Sequence, residues 1–485
     1  MRVRLESMIE TARSHTASAS ATVAAPRVDL FPAPELGNTS YLVSDPDAGV
    51  GIVVDPLRDV EQYVEAADRL GVRIAYALET HVHNDFISGA RELERAVGAT
   101  IGAAEAAGLA FDHRPLRRGS LVPVGRWHLA TRETPGHTPS HLSYVLQATQ
   151  GQPLGLFSGG ALMVGAIART DLFGPDRAAP LALEAFRTLQ VRLRDLPDGV
   201  ALYPTHGGGS FCASGAPAGK ASTLGEERRT NPYLETTDLM SFIARALHQT
   251  PHPHYYGEMT ELNRQGMPLL GRTLPPLTRL SADLVAQAQS DGAVLVDPRG
   301  ASAFDRGHIP GSLCVGLQGA FGPWVGWLVP RGRPIVLVGG TPDDQRLAQR
   351  QLLRIGYDQV SGALDGGMEA WQESGRQLDT FDTAEITELG TWILSGQRVT
   401  VVDVRSEDEW VHGHVPGALR IDVADTPRHA AELPHDAPVA VYCAAGYRSA
   451  IAASLLAQAG VPRIVHVDGN FASWSHHHLA ETIPG

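Results

Sequence analysis

The second half of the chain repeats itself, and this repeat limits the fold more tightly than any other feature. Val296-Asp297-Pro298-Arg299 recurs 106 residues on as Val402-Asp403-Val404-Arg405. Gly307-His308-Ile309-Pro310-Gly311 recurs at the same spacing as Gly413-His414-Val415-Pro416-Gly417. A third block, Asp365-Gly366-Gly367 with Trp371, is answered 103 residues on by Asp468-Gly469-Asn470 with Trp474. Three matched blocks in one order imply two copies of a unit of about 100 residues, a normal domain size. Each copy reads strand, loop, strand, helix, strand, helix, the pattern of a small α/β domain with a parallel sheet.

The chain has 485 residues, too many for one core, so about three domains are expected. Ahead of the repeat, strand-like and helix-like patterns alternate. Gly51–Asp55 reads as a buried strand, and Val60, Tyr63, Val64, Ala67 and Leu70 mark one face of a helix. Ile74–Leu78 reads as a strand, Gly89–Val97 as a helix, and Trp127–Ala130 and His141–Leu146 as further strands. Residues 213–275, rich in Gly, Ser, Pro and His, read as a connector with one helix near Leu239–Leu247. His248, His252 and His254 fall there, with Pro251 and Pro253 between them, and read as loop residues. The expected division is a tail at 1–27, a first domain at 28–212, the connector at 213–275, and the two copies at 276–378 and 382–485.

Composition removes several function classes. The formal charge of −13 leaves no basic field for nucleic acid or anionic lipid. No apolar run is long enough to span a bilayer, and the first 25 residues lack the apolar core of a secretory signal. Three cysteines, Cys212, Cys314 and Cys443, are too few for a disulfide framework and suit a reducing cytoplasm, where a lone thiol is free for chemistry.

Two runs carry chemistry. Thr80-His81-Val82-His83-Asn84-Asp85-Phe86 follows an apolar strand, and residues two apart on a strand point the same way. His137, after Pro135-Gly136, and His206, before Gly207-Gly208-Gly209, are further imidazoles that turns can bring in from distant strands. Neutral imidazole suits Zn or Fe(II). The second run is Cys443-Ala444-Ala445-Gly446-Tyr447-Arg448-Ser449, between the strand Val439–Tyr442 and a helix over Ile451–Ala459. A thiol at a helix N-terminus meets backbone N–H groups and the positive helix end, which favour the thiolate. Arg448 adds positive charge beside an incoming anion. Such a thiolate can take a sulfane sulfur, hold it as a persulfide and pass it on.

The histidine blocks resemble the metallo-β-lactamase superfamily, and among its branches the persulfide dioxygenases fused to rhodanese domains. The resemblance rests on Glu79–Phe86, Pro135–Thr138, Ala168–Leu172 and Pro204–Cys212, and covers about residues 28–272. It implies an αββα sandwich followed by two rhodanese-like α/β domains with parallel sheets. Two residues depart from the family pattern. Phe86 stands where the binuclear hydrolases have a histidine, which argues against a glyoxalase II-type hydrolase. Gly160 stands where the dioxygenases have their ligand aspartate. The resemblance then leaves His81 and His137 as iron ligands. His83, near by motif, makes a set of three imidazoles for one Fe(II) or Zn. Asp85 and His206 are expected around the metal or on the substrate side. Arg169 is expected either to pair with the carboxylate of a glutathione-like donor or to form a structural salt bridge, Asp171 to lie around the metal or on the substrate side, and Cys212 to face the site.

Residues 382–480 resemble the rhodanese family through the loop Cys-x-x-Gly-x-Arg-Ser. Cys443 and Arg448 are the implied catalytic pair, and Ala444, Ala445, Gly446, Tyr447 and Ser449 the implied persulfide loop. In the first copy Gly339 falls opposite Cys443, so that copy has no nucleophile. Three functions follow as expectations. The chain couples persulfide dioxygenation to sulfur transfer at Cys443; or it is a sulfurtransferase with a degenerate metal domain; or it is a sensor or scaffold in which neither site turns over. The expected partners are small persulfides or thiosulfate, with a homo-oligomer left open.

Overall fold

A computed structural model describes residues 26–214, 221–469 and 471–476. All but the last two residues of the expected tail, and Asn470 of the third repeat block, lie outside them. The first part is a sandwich of two six-stranded sheets. The first sheet runs from the strand Arg27–Ala33 to Arg114–Leu116 in chain order. The second contains Leu121–Val124, Trp127–Glu133, Leu142–Gln147, Pro153–Gly159, Ala201–Pro204 and Ser222–Thr223. Their facing sides share one apolar core, with Val43, Ile52, Val54 and Leu78 from one sheet meeting Leu129, Tyr144, Leu146 and Phe157 from the other. Helices cover the outer faces. Glu61–Leu70 buries Tyr63, Val64 and Ala67 against the first sheet, and Pro175–Arg187 buries Ala182 and Ala185 against the second. This is the expected αββα arrangement.

Residues 221–265 are more helical than their composition suggests. They form the helices Leu224–Thr230, Pro232–Glu235, Leu239–Leu247 and Tyr256–Gln265. Three of these helices start on side-chain caps. The side chains of Thr223, Asn231 and Asp238 each accept from a backbone N–H of the helix they begin, satisfying donors that a helix start leaves free. Leu224, Tyr233, Phe242 and Ala246 join the core over the second sheet, so this stretch packs onto the sandwich.

The two copies each form a five-stranded parallel sheet with one strand order. These are 280-364-337-297-314 and 385-468-442-403-420, named by the last residue of each strand. The first copy is tied to the sandwich by buried and half-buried ion pairs. Arg354 reaches Asp59 and Glu35, and Arg58 reaches Asp358. The second copy packs through its helix Tyr447–Gln458 on the first copy's strand Leu313–Cys314, where Cys314 is buried and its N–H donates to Ser454. No helix of the described residues is long and apolar enough to cross a membrane.

Candidate metal centre and sulfur-carrying loop

The metal centre is built on strand ends. Asp55 directly follows the strand Val50–Val54 of the first sheet, and its carboxylate accepts from the Thr80 N–H at 2.6 Å, the Thr80 hydroxyl at 2.7 Å and the Thr205 hydroxyl. It thereby fixes the residues directly before His81 and His206. The Nε2 atoms of those two histidines lie 3.3 Å apart. His137 joins them, the three offering ligand atoms within 4.8 Å of one another.

Each member of this trio has its outer nitrogen occupied. His137 Nδ1 donates to the Arg169 carbonyl at 2.7 Å. His206 Nδ1 donates to Asn38 Oδ1 at 2.9 Å, since Asn38 Nδ2 donates to Asp85. His81 Nδ1 donates to the Thr80 hydroxyl at 2.8 Å, which itself donates to Asp55. These bonds fix the tautomers and leave three Nε2 lone pairs converging. His137 Nε2 is buried with no protein partner. Burial, then the neighbouring histidines, holds His81 well below the usual imidazole range, and His137 and His206 at about 3. Three buried neutral imidazoles with facing lone pairs repel one another and suit a cation such as Zn or Fe(II).

His83 has another attachment. Its Nε2 lies 3.1 Å from Glu79 and 3.3 Å from Asp55. Burial opposes its charge, but Asp55 and Glu79 prevail and push it up to about 10. A protonated imidazole has no lone pair to give, so in this arrangement His83 sits as a cation between two carboxylates and His206 takes the third place in the imidazole trio. His83 still lies within ligand distance of Asp55 and His81, and of Asp85 and His206. Asp85 keeps one oxygen on Asn38 at 2.7 Å and the other buried without a partner. Phe86 packs its ring on His83 at 4.1 Å. Gly160 leaves no gap where a carboxylate would be, for a Cβ there would lie 2.7 Å from the His137 ring and 2.8 Å from Ala168.

Arg169 is buried and engaged. It binds Asp171 through two nitrogens at 2.7 and 2.6 Å, and the Phe211 and Thr250 carbonyls. It therefore ties segments together and leaves its charge on Asp171 rather than free for a donor carboxylate. Cys212 is fully buried, and burial pushes its thiol well up, keeping it protonated. Asp55, Glu79 and Asn38 were not singled out in the sequence. A carboxylate directly after a buried strand, as Asp55 is, was the one available signal.

Cys443 directly follows the strand Val439–Tyr442 and precedes the helix Tyr447–Gln458. The loop turns at Gly446, whose φ of 81° favours glycine. The Gly446 N–H donates to Cys443 Sγ at 3.1 Å. Arg448 is held by Glu409 through two bonds of 2.7 and 2.8 Å. Although burial opposes it, Arg448 brings Glu409 down to about 2. Cys443, Ala444, Ala445, Tyr447 and Arg448 line a chamber of about 560 Å³, while Ser449 lies behind the thiol. The other walls come from both neighbouring domains. Trp324 and Trp327 of the first copy stack at 5.1 Å, and Phe211, His252 and His254 come from the sandwich side.

Comparison with known proteins agrees with this architecture. Residues 33–206 match the model of the metallo-beta-lactamase superfamily, and residues 281–374 and 386–477 match that of the rhodanese-like domain. A crystal structure of a metallo-beta-lactamase from Staphylococcus aureus is similar at 30% identity with a TM-score of 0.63, covering 70% of this chain and 99% of that one. The human mitochondrial persulfide dioxygenase ETHE1 is 28% identical over 197 residues, 40% of this chain and 70% of that protein. A hydroxyacylglutathione hydrolase from Polaromonas is 32% identical over 172 residues, 35% of this chain and 62% of that protein. The chain belongs to the metallo-beta-lactamase superfamily. It carries two rhodanese-like domains behind the metallo-beta-lactamase fold, with persulfide dioxygenases among its relatives.

Proposed function

We propose that the chain is an enzyme of sulfane-sulfur metabolism in which Cys443 carries sulfur and the sandwich domain oxidises a low-molecular-weight persulfide to sulfite and thiol. The carrying observation is the Cys443 loop. A backbone N–H points at the sulfur, a helix begins behind it, Arg448 stands beside it, and a chamber leads to it. The thiolate attacks the outer sulfur of thiosulfate or a persulfide, and the donor's S–S pair leaves with the donor remainder. The Gly446 N–H and the positive end of the helix Tyr447–Gln458 balance the anion that forms, and Arg448, paired with Glu409, lines the chamber beside it.

In the sandwich domain, His81, His137 and His206 would hold one metal ion, with His83 and Asp85 beside it. Fe(II) there would supply redox chemistry with dioxygen that Zn would not. Asn38, Thr80 and the Arg169 carbonyl orient the imidazoles and set their tautomers, while burial keeps them neutral. Phe86, packed on His83, supports the dioxygenase reading over the hydrolase one. Oxygen uptake by the iron-loaded chain with glutathione persulfide tests this half. Thiosulfate:cyanide sulfurtransferase activity, lost in Cys443→Ser, tests the other.

Gly160 favours a second reading, in which only the sulfurtransferase works. The space its missing carboxylate would fill is taken by His137 and Ala168. Sulfur transfer without oxygen uptake would select it.

A further inference from the structure

Behind Cys443 a line of polar groups crosses from the second copy into the first. Cys443 Sγ lies 3.4 Å from Ser449 Oγ. Ser449 Oγ lies 3.0 Å from His466 Nε2. His466 Nδ1 lies 2.8 Å from Asp305 Oδ2 of the first copy. All four residues are buried. The parts are divided between the copies. Asp305 falls opposite Val411 in the repeat, and His466 stands beside Val441 where Ala363 stands beside Leu337. Neither copy could build the line alone.

We propose that Asp305 is a positioning residue for the Cys443 thiolate, acting on it through His466 and Ser449. The inference rests on the reading of Cys443 as the sulfur carrier. In the thiol state Sγ–H donates to Ser449; the Ser449 hydroxyl, which has the Gly446 carbonyl and His466 Nε2 both at 3.0 Å, turns its proton to the imidazole; and Nδ1–H donates to Asp305. As the cysteine proton passes to Ser449 Oγ, the proton already there passes to Nε2. Serine ends as the hydroxyl it began as, now donating to a thiolate, and His466 ends as an imidazolium. The Asp305 carboxylate faces that cation on one side. On the other, the Gly446 carbonyl lies 3.1 Å from Nε2. A carbonyl only accepts, so this contact is favourable when Nε2 carries a proton. Sγ then bonds to the donor's sulfane sulfur, and the electron pair of the broken S–S bond leaves with the donor remainder, as sulfite from thiosulfate. The arrangement follows the logic of a nucleophile, a base and a carboxylate that orients the base. It gives a copy without a nucleophile a chemical task.

Other charged and titratable groups bear on the line. From the second copy they are Arg448 with Glu409, and Asp403 with Arg405 and Tyr442. From the first they are Cys314, His308, and Asp297 with Arg299. A pH measurement must therefore be a comparison of variants.

The test uses the full chain and iodoacetamide, with the rate of Cys443 alkylation followed across pH by peptide mass. Asp305→Asn keeps the shape and removes the charge; Ser449→Ala removes the middle oxygen. In both, alkylation at neutral pH should fall about tenfold and its pH profile move to higher pH. For thiosulfate, kcat should fall while KM holds. Profiles that overlay the parent's in both variants would overturn the proposal, as would a loss that vanishes once measurements are made well below each variant's Tm. Should Asp305→Asn fail to fold, Ser449→Ala decides. Alkylation does not depend on turnover. A parent chain that is alkylated normally yet transfers no sulfur would sink the functional reading and leave the relay to be judged separately.

Discussion

The Nε2 atoms of His81 and His206 face each other at 3.3 Å, and each imidazole has committed its Nδ1 to a different partner, Thr80 for one and Asn38 for the other. Two lone pairs so close are a liability that a shared cation removes. With His137 as the third donor, the chain should bind about one Zn or Fe(II) ion. His206→Ala should lower metal content at least tenfold after dialysis, measured by elemental analysis. His83→Gln should leave most of the metal in place but cost about 3–5 kcal/mol of stability, because Asp55 and Glu79 lose the cation between them. Equal metal loss in the two variants would show that His83, too, is a ligand.

Gly160 gives a prediction opposite to simple restoration of a family residue. A Cβ there would meet the His137 ring at 2.7 Å and Ala168 at 2.8 Å. Gly160→Ala should therefore cost about 1–3 kcal/mol through overpacking, read by urea unfolding. Gly160→Asp should raise metal content only where the His137 ring can move aside. Substitution of Ala168 by glycine in the same chain should ease it. A Gly160→Ala chain as stable as its parent would show that His137 is already free to shift.

The chemistry was legible in the sequence because it lies in short runs. The loop Cys443–Ser449 and the blocks around His81, His137 and His206 each sit where a strand ends, so residue type and position point to the site together. The role of His83 was not legible. Its spacing from His81 places it on the same face, but Asp55 and Glu79 turn it from lone-pair donor to cation, and that depends on which strands become neighbours. Asp305 and His466 are 161 residues apart, and nothing in either local run marks them as partners. The chamber walls come from three domains, so Trp324, Trp327, His252 and His254 gain their relation to Cys443 only through docking. The repeat fixed the parallel sheets well, whereas the Gly, Ser, Pro and His of residues 213–275 hid three of the four helices there, whose starts at Thr223 and Asn231 use residue types that caps share with turns.

Glu409 should make the second copy acid-sensitive. Its carboxyl is held at about 2, below the ordinary 4.5; burial opposes this, and the paired Arg448 prevails. A depressed carboxylate contributes stability that is fully present above the unfolded value and lost as pH falls through the folded one. The window is therefore from about 4.5 down to about 2. Glu409→Gln should lower Tm at neutral pH. The difference from the parent should shrink steadily across that window, as followed by circular dichroism. A difference that stays constant with pH would mean that the Arg448 pair is not what holds the carboxyl charged.

Gly339 tests whether the first copy can be reawakened. It occupies the place of Cys443, ahead of Gly340-Thr341-Pro342, with neither an arginine nor the loop pattern behind it. Its φ of 82° lies in the region that favours glycine, and a Cβ there would come within 2.8 Å of Arg299 and Asp297. Those two residues are locked together, Arg299 donating to Asp297 at 2.6–3.0 Å. Gly339→Cys therefore meets both backbone strain, about 1–2 kcal/mol, and a rigid ion pair. It should destabilise the chain and give no sulfurtransferase activity when combined with Cys443→Ser. Even folded, the thiol would lack the tight turn that aims Gly446 N–H at Cys443, because here Thr341 starts a helix with a capping box of its own, exchanging bonds with Asp344. Activity in the double variant, measured as thiocyanate formed from thiosulfate and cyanide, would show that the first copy lost only its sulfur and not its site.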